Sequence, residues 1–529
     1  MKTYKKILCI SLLVTMVASC TDDLLNPLPK DRLASELFWK TSDDAVFASN
    51  GVYSILGGQW RYSTMEVYSD LSHLILQWRA ESQIEKGTFD ASSNVVADEW
   101  TYYYRIISAA NNFLENVDLV EDIDGGLKSR LKAEIATLRA FAYINLVMLY
   151  GDVPLITTTQ SLQEAKEVPR ASVSSVWDFI STELTAAAND LPAVQEERGR
   201  ITKGAALGLK ARAMLYAGRY QEAKSAAKSV MDMGTHKIYE SYAKLFDYEG
   251  ETASEIIFAR QYTKNINQHD IFNFYSANSL YTQRCQAIPT KRLVDAYLMK
   301  TTGLPIENSA SGFDPKDPYK DRDPRLSHTI YVSGDALPDG SVLNTMPGNG
   351  SADDITISAE NVTPTGWYFK KYVSNADYDD PGNCGVNLIY LRYAEVLLTY
   401  AEASVELGGS DIDQSVLSAI NEIRKRPDVG MPDVTTLDQN ELRSIIRRER
   451  LVEFAIEGLR LYDIRRWRIG EEVLVGTVKG MTYVNSSGNL ATVEMAGFVK
   501  EFRSDRHYLW PIPFRERDLN PSLTQNPGY

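Results

Sequence analysis

The chain has 529 residues, 44% hydrophobic and 24% charged, a balance that excludes a disordered, collagenous or polytopic membrane protein. Its 56 basic and 70 acidic residues leave a net charge of −14, which argues against nucleic acid or an acidic membrane surface as the main partner. Four cysteines in this length exclude a disulfide scaffold, and the length suits three or four domain-sized units, or one body if the chain is a helical repeat array.

The first predicted element is an export signal. Lys2, Lys5 and Lys6 precede an apolar run over residues 7–14, and Val17-Ala18-Ser19 leads into Cys20. The run is too short to span a bilayer, and small residues before a cysteine read as a lipobox, in which the thiol is acylated and becomes residue one. The expectation is a lipoprotein signal peptide over residues 1–19, lipidation at Cys20 and a flexible tether over 20–36; a plain secretory signal is the alternative. Cleavage there removes three lysines and no acid, taking the net charge from −14 to −17. No later stretch approaches eighteen uninterrupted apolar residues.

Residues 127–150 repeat apolar positions at Leu131, Ile135, Leu138, Ala142, Leu146 and Leu149, which predicts an amphipathic helix that Gly151 and Pro154 stop. A second helix is expected over residues 173–189. Residues 201–234 read as helix, turn, helix: Ala211 allows close approach, Gly218 turns the chain, Tyr220 packs the turn and Ala223 sits at the crossing, as in a tetratricopeptide repeat. Fainter repeats are residues 391–407 with 411–426, and the 127–189 pair. Residues 440–467 form another predicted helical region. Its arginines 443, 447, 448, 450, 460, 465 and 466 are expected to pair with carboxylates inside an acidic chain rather than to bind nucleic acid.

Residues 60–96, 261–285 and 301–385 lack helical period and mix aromatic with Asn, Gln, Asp, Gly and Pro, the texture of long loops that carry function. The catalytic signatures are missing. Five scattered histidines form no metal-ligand spacing, and there is no nucleophile elbow, P-loop or dinucleotide fingerprint. Asp122-Ile123-Asp124-Gly125 reads as a helix cap, not a calcium loop. No cofactor is expected; structural calcium at an Asp-rich loop such as 377–380 is the one metal reading left open.

Several blocks, in order along the whole chain, resemble the SusD/RagB family of nutrient-binding outer-membrane lipoproteins. They include Leu25-Asn26-Pro27, Phe38-Trp39-Lys40-Thr41-Ser42, Ala109-Ala110-Asn111-Asn112, Arg139-Ala140-Phe141-Ala142-Tyr143 and Tyr150-Gly151-Asp152-Val153-Pro154. Asp323-Pro324-Arg325-Leu326, Leu391-Arg392-Tyr393-Ala394-Glu395, Glu449-Arg450, Leu509-Trp510-Pro511-Ile512-Pro513 and Asn526-Pro527-Gly528-Tyr529 continue the match.

The resemblance implies a mainly α fold: a tetratricopeptide-like helical repeat body with long irregular loops and a few short β-hairpins. It implies one body over 37–529, with a helical part at 37–300, a loop-rich insertion at 301–390 and a C-terminal helical part with a Pro-rich closing segment at 391–529. It further implies a non-catalytic surface lipoprotein, facing the cell exterior, that captures an oligosaccharide. Such a protein acts as the lid of a SusC-like TonB-dependent transporter in the outer membrane. A surface glycoside hydrolase or a peptide-binding lipoprotein of the same fold are the alternatives.

Sugars present flat CH faces and hydroxyls, so a ligand platform needs loop aromatics beside polar forks. The expected ligand residues are Trp78, Arg79, Gln77, Tyr275, Asn278, Tyr281 and Trp367, whereas Trp39, Trp100, Trp467 and Trp510 are read as core. Cys285 and Cys384 are expected as two buried thiols, with a single disulfide as the alternative.

Overall fold

A computed structural model describes residues 38–280, 285–357 and 362–529. The expected signal peptide, Cys20, the tether and Tyr281 lie outside the described residues. The helices of eight residues or more are α1 Ser42–Ser54, α2 Gln59–Val67, α3 Asn94–Asn116, α4 Gly125–Tyr150, α5 Val173–Asp190 and α6 Lys203–Tyr216. They continue as α7 Tyr220–Asp232, α8 Tyr393–Leu407, α9 Gln414–Arg424, α10 Gln439–Glu453 and α11 Arg460–Trp467. Helices α3 to α8 pack each on the next, and α9 and α10 both pack on α8. This is the stacked-pair geometry of a helical repeat body.

The sequence dictates these helices locally. Asp124 caps α4 by accepting the Leu127 amide at 3.0 Å, and Gly151, at φ 74°, ends it. Helix α4 is long and apolar enough to cross a membrane, but 89% of that apolar window is buried by neighbours, so it is the central core helix. Thr202 caps α6, and Gly218 at φ 71° makes the turn into α7, where Ala211 and Ala223 are buried at the crossing. Arg212 on α6 grips Glu395 on α8 through two buried hydrogen bonds of 2.6 and 2.5 Å. The closing segment staples the end of α4: the Trp510 amide donates to the Leu149 carbonyl at 2.7 Å, and Asn526 donates to the Tyr150 carbonyl at 2.7 Å.

Eight short strands form four two-stranded antiparallel sheets among the described residues. β1 (Ser72–Leu74) pairs with β3 (Ala287–Pro289), β2 (Ile256–Arg260) with β6 (Leu388–Arg392), and β4 (Ile330–Tyr331) with β5 (Tyr368–Phe369). Among the described residues only β7 (Gly476–Val484) and β8 (Leu490–Lys500) pair as a hairpin, closed between Asn485 and Asn489; the other three sheets join segments far apart in sequence.

Two apolar cores result. One is the helical stack around Leu138, Leu209 and Leu397, and the other gathers the irregular segments around Phe272, Ile288, Tyr368 and Ile389. A buried ionic hub lies at their border. Glu453 accepts Arg392 at 2.7 Å, Arg426 at 3.0 Å and Arg325 at 2.8 Å, and Glu255, Glu449 and Glu457 share the same arginines.

The region expected as one helix over 440–467 is broken between α10 and α11. Ile456 and Gly458 take φ values of 58° and 74°, and a Cβ at Gly458 would meet Met65 at 3.2 Å. The break lets Glu457 fold back onto Arg392 and Lys371.

Candidate functional site

Trp78, Arg79 and Gln77 stand on a tight turn after β1. The Arg79 amide donates to the Leu76 carbonyl at 3.1 Å, and the Ser82 hydroxyl reaches the Gln77 and Arg79 carbonyls at 2.9 and 2.8 Å. This bracing projects Trp78 outward, 69% exposed, the large ring most open to a ligand in these loops. The Arg79 guanidinium lies 4.2 Å over the Trp60 ring and 5.1 Å from the Trp78 ring centre, so it bridges a buried-side and a surface aromatic. Trp60 is fixed in turn, donating its indole N–H to Glu81 at 2.8 Å and standing edge-on to Phe274 at 5.3 Å.

The Gln77 side chain donates to the Leu74 carbonyl while its Oε1 has no partner among the described residues; the Arg79 Nε and the Gln83 Oε1 are likewise buried without one. An exposed ring face beside a guanidinium is a pairing that stacks on a sugar ring and hydrogen-bonds its hydroxyls, whereas the Gln77 and Gln83 amide oxygens are closed off from solvent.

The other expected residues are placed differently. Tyr275 is 1% exposed, packed edge-on to Phe369 at 5.0 Å, and burial raises its phenol pKa. Trp367 is 2% exposed and donates to the Tyr319 hydroxyl at 2.8 Å. It edges a cavity of about 150 Å³, below the roughly 300 Å³ at which small-ligand pockets begin. Both are therefore corrected from platform to core: each ring is spent on packing non-local segments together. Asn278 is 8% exposed and donates to the Ala352 carbonyl at 2.8 Å, so it ties two loops rather than offering its amide outward.

Trp60 and Glu81 were not expected, because residues 60–96 read as loop; Trp60 stands instead on α2. Of the tryptophans expected as core, Trp100 and Trp510 are buried, whereas Trp39 and Trp467 are only half-buried.

Cys285 and Cys384 are both buried thiols, as expected, and burial pushes the Cys384 thiol up to about 12. At the Asp-rich loop, Asp377 is already engaged by Lys264 at 2.6 Å and by the Tyr248 hydroxyl at 2.7 Å. No group of three or more metal-ligating side chains occurs among the described residues.

The chain matches the sequence profile of the SusD family over residues 254–529 and that described as "Starch-binding associating with outer membrane" over 50–215. It is 28% identical to SusD-like protein P2 of Formosa agariphila, over 100% of both chains. Among solved structures it is similar to a SusD-like carbohydrate binding protein from Bacteroides fragilis, at 30% identity and TM-score 0.84, covering 92% of this chain and 100% of that one. A second SusD-like protein of Bacteroides fragilis superposes with TM-score 0.81 at 29% identity, covering 95% and 100%. With the profile match spanning more than half its length and the helical stack shared throughout, the chain belongs to the SusD family.

Proposed function

We propose that the protein is a non-catalytic lipoprotein of the outer membrane, anchored through Cys20 and facing the cell exterior, that captures a nutrient oligosaccharide. It delivers the ligand to a SusC-like TonB-dependent transporter and acts as its lid. Family membership, the outer-membrane description of the N-terminal profile and the carbohydrate-binding relative support this reading. The observation that carries it is Trp78, an exposed ring held by a braced turn beside the Arg79 guanidinium.

A carbohydrate array and titration calorimetry on the purified protein test the capture. An oligosaccharide binds and is recovered intact, and Trp78→Ala weakens it about tenfold or more, the effect of losing a stacked ring. New reducing ends would establish a hydrolase, and binding of peptides alone would redirect the ligand class. Co-purification with a large barrel, and its loss on Cys20→Ala, checks the partner and the anchor.

A further inference from the structure

Of the seven arginines in the α10–α11 region, four end on carboxylates. Arg443 pairs with Glu406 at 2.7 Å, Arg450 with Asp463 at 2.9 Å, Arg460 with Asp70 at 2.8 Å and Arg466 with Glu402 at 2.5 Å. Arg465 donates instead to the Met148 and Leu149 carbonyls at 2.8 and 3.2 Å. Arg447 and Arg448 have no carboxylate partner among the described residues, and the Arg447 Nε is buried without any acceptor.

Both open into a cleft of about 1050 Å³ between α10, α11, the short helix Lys291–Ala296 and the β7–β8 hairpin. None of Gln77, Trp78 or Arg79 lines it.

The cleft inverts the charge of the chain. Seven cationic side chains face four carboxylates there, in a protein of net charge −14. Most of those carboxylates are taken. Asp70 holds Arg460 at 2.8 Å and meets Arg292 at 3.5 Å, Asp295 holds Lys291 at 2.9 Å, and Glu494 holds Lys479 at 3.2 Å. Lys500 is satisfied by Glu85 at 3.0 Å.

What remains is the Arg447 and Arg448 pair, with Arg292 half-engaged at the rim, against one carboxylate, Glu307, that forms no ion pair among the described residues. Arg447 is held by a ring instead of an acid: its guanidinium lies 4.9 Å from the Trp467 ring centre, and the indole is locked by its own hydrogen bond to Glu402 at 2.8 Å. A cation–π hold fixes a guanidinium without neutralising it, so its terminal NH₂ groups, unlike the buried Nε, stay available to an oxyanion. Leu451, Val473 and the exposed Val475 add an apolar wall beside these donors.

We propose that this cleft is a second binding site, for a saccharide carrying carboxylate or sulfate groups. Arg447 and Arg448 take the anionic group, and the Leu451–Val475 wall takes the CH face of the ring. That the ligand is a saccharide rests on the function proposed above; that it is anionic rests on the cleft alone. Guanidinium forks match the geometry of both oxyanions, and apolar contact beside them favours a sugar ring over a free ion.

The test is calorimetry on the whole protein with four probes: an oligogalacturonate, a sulfated galactan oligosaccharide, a neutral malto-oligosaccharide and a short poly-glutamate. Either acidic saccharide binds, and raising salt from about 0.05 M to about 0.5 M weakens it several-fold as the charges are screened. Arg447→Ala/Arg448→Ala weakens it about tenfold or more, and Arg447→Lys/Arg448→Lys recovers only part of that loss, because an ammonium keeps the charge without the bidentate fork, with the circular dichroism of both variants unchanged. Failure of both acidic saccharides while the neutral one binds overturns this inference and leaves the capture function standing. Poly-glutamate binding without saccharide binding overturns it in favour of an acidic protein partner. An Ala pair that binds acidic saccharide as tightly as the native chain also overturns it.

Discussion

Glu453 is the point at which the two cores are tied, and Glu453→Gln measures that tie. One carboxylate oxygen accepts Arg392 at 2.7 Å and Arg426 at 3.0 Å, and the other accepts Arg325 at 2.8 Å. The group is fully buried. Against a desolvation penalty that would raise it, Arg392, Arg426 and Arg325 hold the carboxyl well below the usual range. The amide keeps the shape but removes the charge and turns an N–H₂ group toward the guanidinium cluster.

Three charge-assisted hydrogen bonds at about 1.5–3 kcal/mol each would suggest a larger loss than a single site can show. The arginines are not orphaned, however. Arg325 keeps Asp323 and Glu449, Arg392 keeps Glu457 and Glu255, and Arg426 keeps Glu255. The expected destabilisation is therefore the lower end of a broken buried pair, about 3 kcal/mol. Urea unfolding followed by far-UV circular dichroism at pH 7 reads it directly.

The sign with pH is also fixed. A depressed folded-state pKa contributes stability above the unfolded value near 4.5 and loses it as pH falls through the folded-state value. The native and Glu453→Gln curves therefore converge in acid. A loss below about 1 kcal/mol at pH 7, or a gap that does not narrow on acidification, would refute the hub argument.

Trp367→Ala separates core from platform: truncating a ring 2% exposed costs about 3–5 kcal/mol in the same urea assay, whereas Trp78→Ala stays within about 1 kcal/mol. Glu66 gives an opposite pH signature to Glu453. Burial pushes its carboxyl up to about 7 from an ordinary 4.5, so the folded state holds a proton that the unfolded chain releases, and stability falls as pH rises through that window. Glu66→Gln removes the fall and stabilises the protein at pH 8 by up to about 3 kcal/mol, at 1.36 kcal/mol per unit; an unchanged pH profile of unfolding would count against it.

The parts of the fold legible in the sequence are those where a local signal and the packing agree. Residues 127–150 and 201–234 repeat with helical period and are punctuated by Gly151 and Gly218, both at positive φ. Helix α2 defeats that reading because Gln59, Ser63, Thr64 and Glu66 are buried along with Tyr62, Met65 and Val67, leaving no polar face for a periodicity to reveal. With α2 hidden, Trp60 could not be recognised as the support of Arg79. Tyr275 and Trp367 fail for a related reason. In irregular segments burial is set by partners distant in sequence, Phe369 and Tyr319, and no spacing rule points to them. The exposure of Trp78 was legible because the turn over residues 77–82, braced by its own serine, decides it locally.

The arginine-rich region shows what net charge can and cannot decide. An acidic chain makes internal pairing the expected fate of seven arginines, and four pair with carboxylates. Pairing is a matter of geometry, though, and α10 directs Arg447 and Arg448 into a cleft where three of the four carboxylates already hold other cations. At physiological salt a charge acts over about 8 Å, so the acidic exterior does not cancel this pair at contact distance, yet it still repels a long polyanion laid across the surface. A cleft of this kind selects spaced charges on a short ligand and rejects dense ones on a long polymer. Nucleic acid is disfavoured by that asymmetry, and a short acidic saccharide satisfies it.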